Sequence, residues 1–542
     1  MSGKRDDILK VALELIAESG FQGAPMARII EKASVGIGVE DVLSIFPSQI
    51  SAENHSKTPL ERMIKEFLHR KENAKMKINE IKKIAFTWGV NASPVRVQQP
   101  GFVTPADNRF MNRSCIRELK GLAVILCFVL VPAIAPAADE KYGYPITGSY
   151  EATILGTPDR LKSPPPAEIS SKRLLLDVIP DLRKPEVFFY DEGLRCTFAY
   201  QDREAPLVFL IAGTGAGDQS SKMEAMTREL YKAGFHVVAL PSPTHPNFIV
   251  SASRSHIPGD LTEDAEDLYR VMELVWSKVK RDIEVTDFYI GGYSLGGTQA
   301  AFVARLDEER KVFNFRKVLM VNPVVNLYSS VSRIEELLDR MPGGAREIGS
   351  YFNKMLTKFS EFYRQGDLDL NDEFLYAAYK AKLLSRDESG ALIGLAFRVS
   401  LAGMIFSSDV MTNSGYVVPK NRVLTETDPL GDYFLVCIHL GFINYLDEYF
   451  YPYLQKKRPG LTREELINSL GLKSIEGYLR ASPKFGVMTN EDDFILAPGE
   501  LDYLRDLFEG RIKVYSRGGH LGNLEYSDNM ADIVGFYKQG GQ

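Results

Sequence analysis

Ser294 sits in Gly292-Tyr293-Ser294-Leu295-Gly296, a G-x-S-x-G spacing that could place a nucleophile. A serine hydroxyl attacks poorly until a base takes its proton, and the base must itself be held by a carboxylate. His520, delivered by Gly518-Gly519, is the candidate base among only seven histidines. The candidate acid is Asp493 or Asp492, in Asn490-Glu491-Asp492-Asp493-Phe494-Ile495-Leu496, and the doublet leaves the choice open. Together these groups could carry out nucleophilic acyl transfer. The glycines have a steric purpose. A serine on a tight strand-to-helix turn needs small neighbours two residues away, and the following helix aims its first amides at the reacting centre.

Positioning these residues requires strands that end beside one another. Asp287-Phe288-Tyr289-Ile290 reads as a strand running into the serine turn, with a helix from Thr298 onward. The acid follows a short apolar strand from Lys484, and the histidine follows Ile512-Lys513-Val514-Tyr515. Leu194–Tyr200, Leu207–Ile211, Phe235–Leu240 and Lys317–Val321 read as further strands. The segments Met223–Ala233 and Leu261–Lys280 read as helices, the second opened by Thr262 and Asp264. This alternation predicts a mostly parallel sheet with helices on both faces.

The order Ser, Asp, His, each at a strand end, resembles the α/β-hydrolase superfamily over residues ~185–540. The resemblance implies a serine hydrolase, esterase- or lipase-like, that needs no cofactor, and the apolar tail Phe494-Ile495-Leu496, which matches the family's usual one after the acid, favours Asp493 over Asp492. It implies an oxyanion hole built from the amide of Leu295 and that of Thr214 or Gly215, in the loop after Leu207–Ile211. Ala212 stands where many members carry histidine, which leaves the backbone donors in place. A phosphate-cradling role for Gly213–Gly217 is disfavoured, because the lysine and following Ser/Thr of a P-loop and the G-x-G-x-x-G spacing are absent. The long stretch between Pro323 and Lys484 is helical by pattern and implies a cap over the site. Its aromatic run from Tyr433 to Leu454 reads either as the cap's own core, the favoured reading, or as an apolar groove for an acyl chain. Among the other histidines, His236 is expected to be packed. His245 and His256 read as surface or pocket-lining loop residues, and His439 as a core or pocket residue.

The chain has 542 residues, 45% hydrophobic and 25% charged, which predicts two or three domains. A net charge of −6 argues against a general nucleic-acid surface, and no His/Cys cluster has metal-ligand spacing. Arg113, Arg117 and Lys120 precede a short apolar run over 121–132, and small residues follow. That is the pattern of a secretory signal cleaved near Ala137 or Ala138, with a membrane anchor as the alternative. Transient membrane contact through 121–132 and a periplasmic or secreted location are the corresponding expectations. After cleavage only Cys196 and Cys437 would remain, with one disulfide conceivable.

Residues ~5–50 resemble the helix-turn-helix domain of TetR-type regulators, through an amphipathic helix ending at Gly20 and a glycine turn at Gly36 and Gly38. Glu40 and Asp41 put negative charge where a phosphate would lie, so nucleic acid is not the expected partner. A small-molecule or lipid-like acyl substrate is; the alternatives are a transacylase on the same fold, or a non-catalytic ligand-binding or DNA-binding regulator that uses this head. The functional unit is expected to begin at Met111, with 1–110 a fused remnant. The full reading is an α/β-hydrolase fold with a large, mainly helical cap insert, preceded by a small all-α segment. Its expected parts are 1–50 helix-turn-helix-like, 51–110 helix and linker, and 111–138 signal- or anchor-like. They continue with 139–328 core, 329–480 cap and 481–542 core.

Overall fold

Short apolar runs, most of them rich in β-branched and aromatic residues, build the sheet. The computed structural model describes residues 142–539 except 167, 342–343, 345–350, 352–378 and 383. The helix-turn-helix-like, linker and signal-like segments therefore lie outside the described residues.

Eight strands are present among the described residues: β1 (Ser171–Leu176), β2 (Leu194–Ala199), β3 (Ala205–Ile211), β4 (His236–Leu240), β5 (Val285–Tyr293), β6 (Lys317–Val321), β7 (Phe485–Asn490) and β8 (Ile512–Tyr515). They form one sheet in the order β1-β2-β4-β3-β5-β6-β7-β8. The pairs β1–β2 and β2–β4 are antiparallel, and every later pair is parallel. The expected mixed, mostly parallel sheet is observed. This is the α/β-hydrolase fold.

Strands β3, β4, β6 and β7 contain no exposed residue, and β5 is buried over its last five, as a sheet covered on both faces demands. The covering helices on the core are α1 (Ser149–Leu155), α2 (Ser221–Lys232), α3 (Pro246–Ser251), α4 (Leu261–Val279) and α5 (Leu295–Arg310). Helix α4 is capped by Asp260, whose side chain accepts the amides of Thr262 and Glu263. Thr262 and Asp264, the residues expected at its start, already lie inside the helix. Helix α5 is too enclosed to be amphipathic: it packs on α4, β5 and β6, and nearly every residue from Leu295 to Ala304 is buried.

The inserted region between β6 and β7 is helical, as expected. It contains α6 (Leu327–Asp339), α7 (Arg386–Thr412), α8 (Gly431–His439), a helical stretch over 442–457, α9 (Arg463–Ser469) and α10 (Glu476–Ala481). Two further helices, α11 (Glu500–Leu507) and α12 (Ser527–Lys538), complete the core. Helix α7 opens on a reciprocal Ser385–Glu388 capping box and packs on α6, α1, α3 and α8. The insert is fastened to the start of α4, where Tyr445 donates to the Pro258 carbonyl at 2.8 Å and Tyr453 to Glu263 at 3.0 Å. Tyr445, Leu446, Tyr449, Phe450 and Leu454 are buried in the main hydrophobic core, so this part of the aromatic run is packing rather than groove.

Cys196 and Cys437 are both buried free thiols, so the conceivable disulfide does not form. Burial pushes both thiols up from their ordinary range, to about 12 for Cys437.

One buried ion pair joins two helices of the insert. Arg398 on α7 meets Glu335 on α6 at 2.8 Å, with side chains only 7% and 12% exposed, and Glu335 also accepts the Phe442 amide at 2.7 Å. Glu335→Ala would leave Arg398 buried without its carboxylate, so denaturant unfolding should show a loss of about 3–5 kcal/mol. A double variant, Glu335→Leu with Arg398→Met, should recover most of that loss. Equal instability in both variants would mean that the pair's charge is not what matters.

Candidate active site

Strand β5 ends at Tyr293 and α5 begins at Leu295, so Ser294 alone makes the turn. Its backbone lies at φ 54°, ψ −128°, a region that L-residues avoid and that costs on the order of 1–3 kcal/mol. The flanking glycines are required by contact. A Cβ on Gly292 would lie 2.5 Å from the Gly296 carbonyl oxygen, and one on Gly296 would lie 2.2 Å from that of Ile211. Gly213 is equally constrained, since its Cβ would meet the Tyr293 ring at 2.7 Å. The loop after β3 therefore lies directly against the turn.

His520, 27 residues beyond Asp493, comes back to the same place because β7 and β8 are parallel neighbours. Its Nε2 lies 2.9 Å from the Ser294 Oγ, and its Nδ1 lies 3.1 and 3.0 Å from the two carboxylate oxygens of Asp493. An ionised carboxylate can only accept, so Nδ1 carries the proton and Nε2 is left to accept from the serine hydroxyl. His520 and Asp493 are 2% and 5% exposed, which shields this chain of bonds from water.

The acidic doublet divides its work. Asp493 faces the histidine and also accepts from Asn322 Nδ2 at 2.7 Å and from the Ile495 amide at 3.3 Å. Asp492 accepts the Gly519 amide at 2.8 Å and so holds the histidine loop. Burial, with a smaller push from neighbouring Asp493, raises the Asp492 carboxyl to about 6, against the pull of its backbone hydrogen bonds.

Of the proposed oxyanion donors, Gly215 is already committed: its amide donates to the Thr244 hydroxyl at 2.8 Å. The amides of Leu295 and Thr214 make no hydrogen bond among the described residues. Leu295 is the first residue of α5, where no intrahelical acceptor exists. Of the two loop amides the sequence offered, the bond to Thr244 therefore leaves that of Thr214 without a partner among the described residues.

A cavity beside Ser294 and His520 is walled by Val324, Leu327, Val331, Ile334, Phe397 and Ile495. Its mostly apolar lining comes from α6, Phe397 of α7 and the loops after β3, β6 and β7, not from the aromatic run. None of the other described histidines borders it. His236 is buried and accepts the Gln201 amide at 3.1 Å, as expected for a packed residue. His245 caps α3, His256 contacts the Ile249 carbonyl at 2.6 Å, and His439 is exposed rather than core.

Sequence reasoning missed the asparagines. Asn322 follows β6 as Ser294 follows β5, and that parallel is the one available signal. Asn490, at the end of β7, donates to the Gly519 carbonyl at 2.7 Å and to Asn523 at 2.9 Å, behind the histidine.

No family model and no curated protein matches the chain. Among solved structures, it is similar to a fungal esterase from Rhizomucor miehei at 13% identity and TM-score 0.31, over 69% of this chain and 84% of that one. A thioesterase domain from the curacin biosynthetic pathway aligns at 14% identity and TM-score 0.30, over 68% and 98%. An esterase from Pyrobaculum calidifontis aligns at 14% and 0.30, over 68% and 83%. Likenesses this distant carry no argument about activity.

Asp492 gives a pH test. A carboxyl raised from 3.8 to about 6 on folding contributes stability that is full below its unfolded value and lost as pH rises through 6. Asp492→Asn keeps an acceptor for Gly519 and removes the buried charge. It should melt about 2–4 °C above wild type at pH 7.5, with the gap closing by pH 4. A variant melting lower at pH 7.5 would show that the charge-assisted bond outweighs burial.

Proposed function

We propose that the protein is a serine hydrolase acting on a carboxylic ester or related acyl substrate. The observation that carries this reading is the continuous hydrogen-bonded chain Asp493–His520–Ser294, with links of 3.0 and 2.9 Å. In this reading Ser294 Oγ attacks the substrate carbonyl carbon while His520 Nε2 takes its proton. Asp493 stabilises the imidazolium and keeps its orientation. The amides of Leu295 and Thr214 bind the oxyanion. Collapse expels the alcohol, protonated by His520, and leaves an acyl-serine. Water then repeats the sequence, with His520 as its base, to release the acid. Each step uses groups of this chain and water alone, so no cofactor is invoked.

The apolar walls formed by Val324, Leu327, Val331, Ile334, Phe397 and Ile495 favour a substrate whose acyl or alcohol part is hydrophobic. We further propose that the signal-like segment 111–138 exports the enzyme, or anchors it if uncleaved, and that nucleic acid is not a partner.

Labelling with a fluorophosphonate probe tests the nucleophile. Wild type should label and Ser294→Ala should not. Asp493→Asn should lower kcat on a p-nitrophenyl ester by about 10⁴-fold. Asp492→Asn should stay within a few-fold of wild type. A folded wild type that neither labels nor cleaves any ester of a chain-length series would overturn the reading.

A further inference from the structure

We propose that Thr153 is a positioning residue for His520, acting from helix α1 at the far end of the described chain. The inference rests on the serine-hydrolase reading for its functional meaning. The His520 backbone amide donates to Thr153 Oγ1 at 2.9 Å, in a fully buried contact. That hydroxyl donates in turn to the Ser149 carbonyl at 2.8 Å. Its single proton is therefore directed into the helix, and a lone pair is left facing the histidine.

The surrounding contacts show why such a fixture is needed. Leu521 follows His520 at φ 65°, a left-handed conformation that a leucine adopts only when its surroundings enforce it. The loop lies against α1 so closely that side chains are excluded. A Cβ on Gly519 would come within 2.0 Å of the Ser149 carbonyl oxygen, and one on Gly522 within 2.1 Å of that of Ala152. Thr157 adds a bond to the Gly522 carbonyl at 3.2 Å. Arg517 reaches the Tyr144 and Tyr142 carbonyls at 2.6 and 2.8 Å. Of these contacts, only the Thr153 bond is made to the main chain of the histidine itself. The imidazole must meet Ser294 and Asp493 at once, and its backbone amide is the nearest point from which its place can be set.

The full-length protein tests this with Thr153→Val, which keeps the shape and removes the acceptor, and Thr153→Ser, which restores it. Two readouts are followed. One is the rate of fluorophosphonate labelling; the other is the low-field proton resonance of the His520–Asp493 hydrogen bond, assigned by its loss in His520→Ala. A displacement near 1 Å carries a penalty of about 100-fold. Thr153→Val should therefore label about 10- to 100-fold more slowly, with KM for an ester little changed and the low-field resonance weakened. Thr153→Ser should remain within about 3-fold of wild type. Should Thr153→Val not fold, Thr153→Ala is judged by the same criteria. A folded variant with the wild-type labelling rate and an unchanged resonance would overturn the proposal. So would Thr153→Ser and Thr153→Val losing the same amount, because packing alone would then explain both. If wild type itself fails to label, the serine-hydrolase reading falls, and the resonance still decides whether Thr153 positions His520.

Discussion

The backbone at Ser294 is the constraint from which the rest of the site follows. A residue at φ 54°, ψ −128° persists only where its neighbours leave it no alternative. Here those neighbours are the sheet before it and the helix after it. Strand β5 is paired on both sides, by β3 and β6, up to the turn itself, and the Ser294 amide donates to the Val321 carbonyl at 2.9 Å. Helix α5 is buried along its first three turns. The turn closes so tightly that the carbonyls of Ile211 and Ala212 occupy the space a side chain at 296 would need. The strain is thus held by burial at the centre of the sheet, and the serine side chain is left facing the cavity.

Once the serine is fixed, its partners must be brought to it by loops, and loops have to be anchored. The parallel strands β6, β7 and β8 place Asn322, Asp493 and His520 at the same end of the sheet as Ser294. That sets their neighbourhood to a few ångströms but not their orientation. Orientation comes from a second layer of buried polar groups. Asn322 fixes the carboxylate, while Asp492, Asn490 and Thr153 fix the backbone of residues 519 and 520. Asn523 ties this layer to Tyr142 through a 2.7 Å bond to the phenol oxygen. Tyr142 donates onward to Asn529 at 2.7 Å. A buried polar network of this kind is favourable only when its members are satisfied; the Asn490 and Asn523 amides are, while one buried oxygen of Asp492 has no partner among the described residues.

The parts of this arrangement that were legible in the sequence are those with local signatures. Ser294 and His520 stand out because glycines crowd beside them at strand ends, and the reason for each glycine is a contact now visible. The choice between Asp492 and Asp493 was not local. Both carboxylates lie in the turn after β7 and meet the loop after β8, Asp492 at the Gly519 amide and Asp493 at the His520 ring, and only that loop's position distinguishes them. Gly215 was indistinguishable from Thr214 until Thr244, from a loop after a different strand, claimed its amide. Strand β1 escaped notice because it is an edge strand whose first three residues are exposed, so Ser171-Lys172-Arg173 carries no apolar alternation. Thr153 is 367 residues from its partner, and nothing in its own neighbourhood distinguishes it from any helical threonine.

Helix α7 shows how far composition can mislead when packing is not seen. By length and hydropathy its 27 residues could cross a membrane, yet 72% of the most apolar window is buried within the protein. Its glycines explain the depth of that burial. A Cβ on Gly394 would lie 2.9 Å from the Leu338 backbone, and one on Gly390 would lie 3.3 Å from the Tyr150 ring. The helix therefore sits in close contact with α6 on one side and α1 on another. The same Tyr150 ring meets Phe494 edge-on at 5.1 Å, and Phe494 lies 6.3 Å from the His520 imidazole. A membrane would offer α7 only lipid; here its apolar face is matched by helices that also hold the acid and histidine loops. Its hydropathy is accounted for by its packing within the insert and against α1 and α3 of the core.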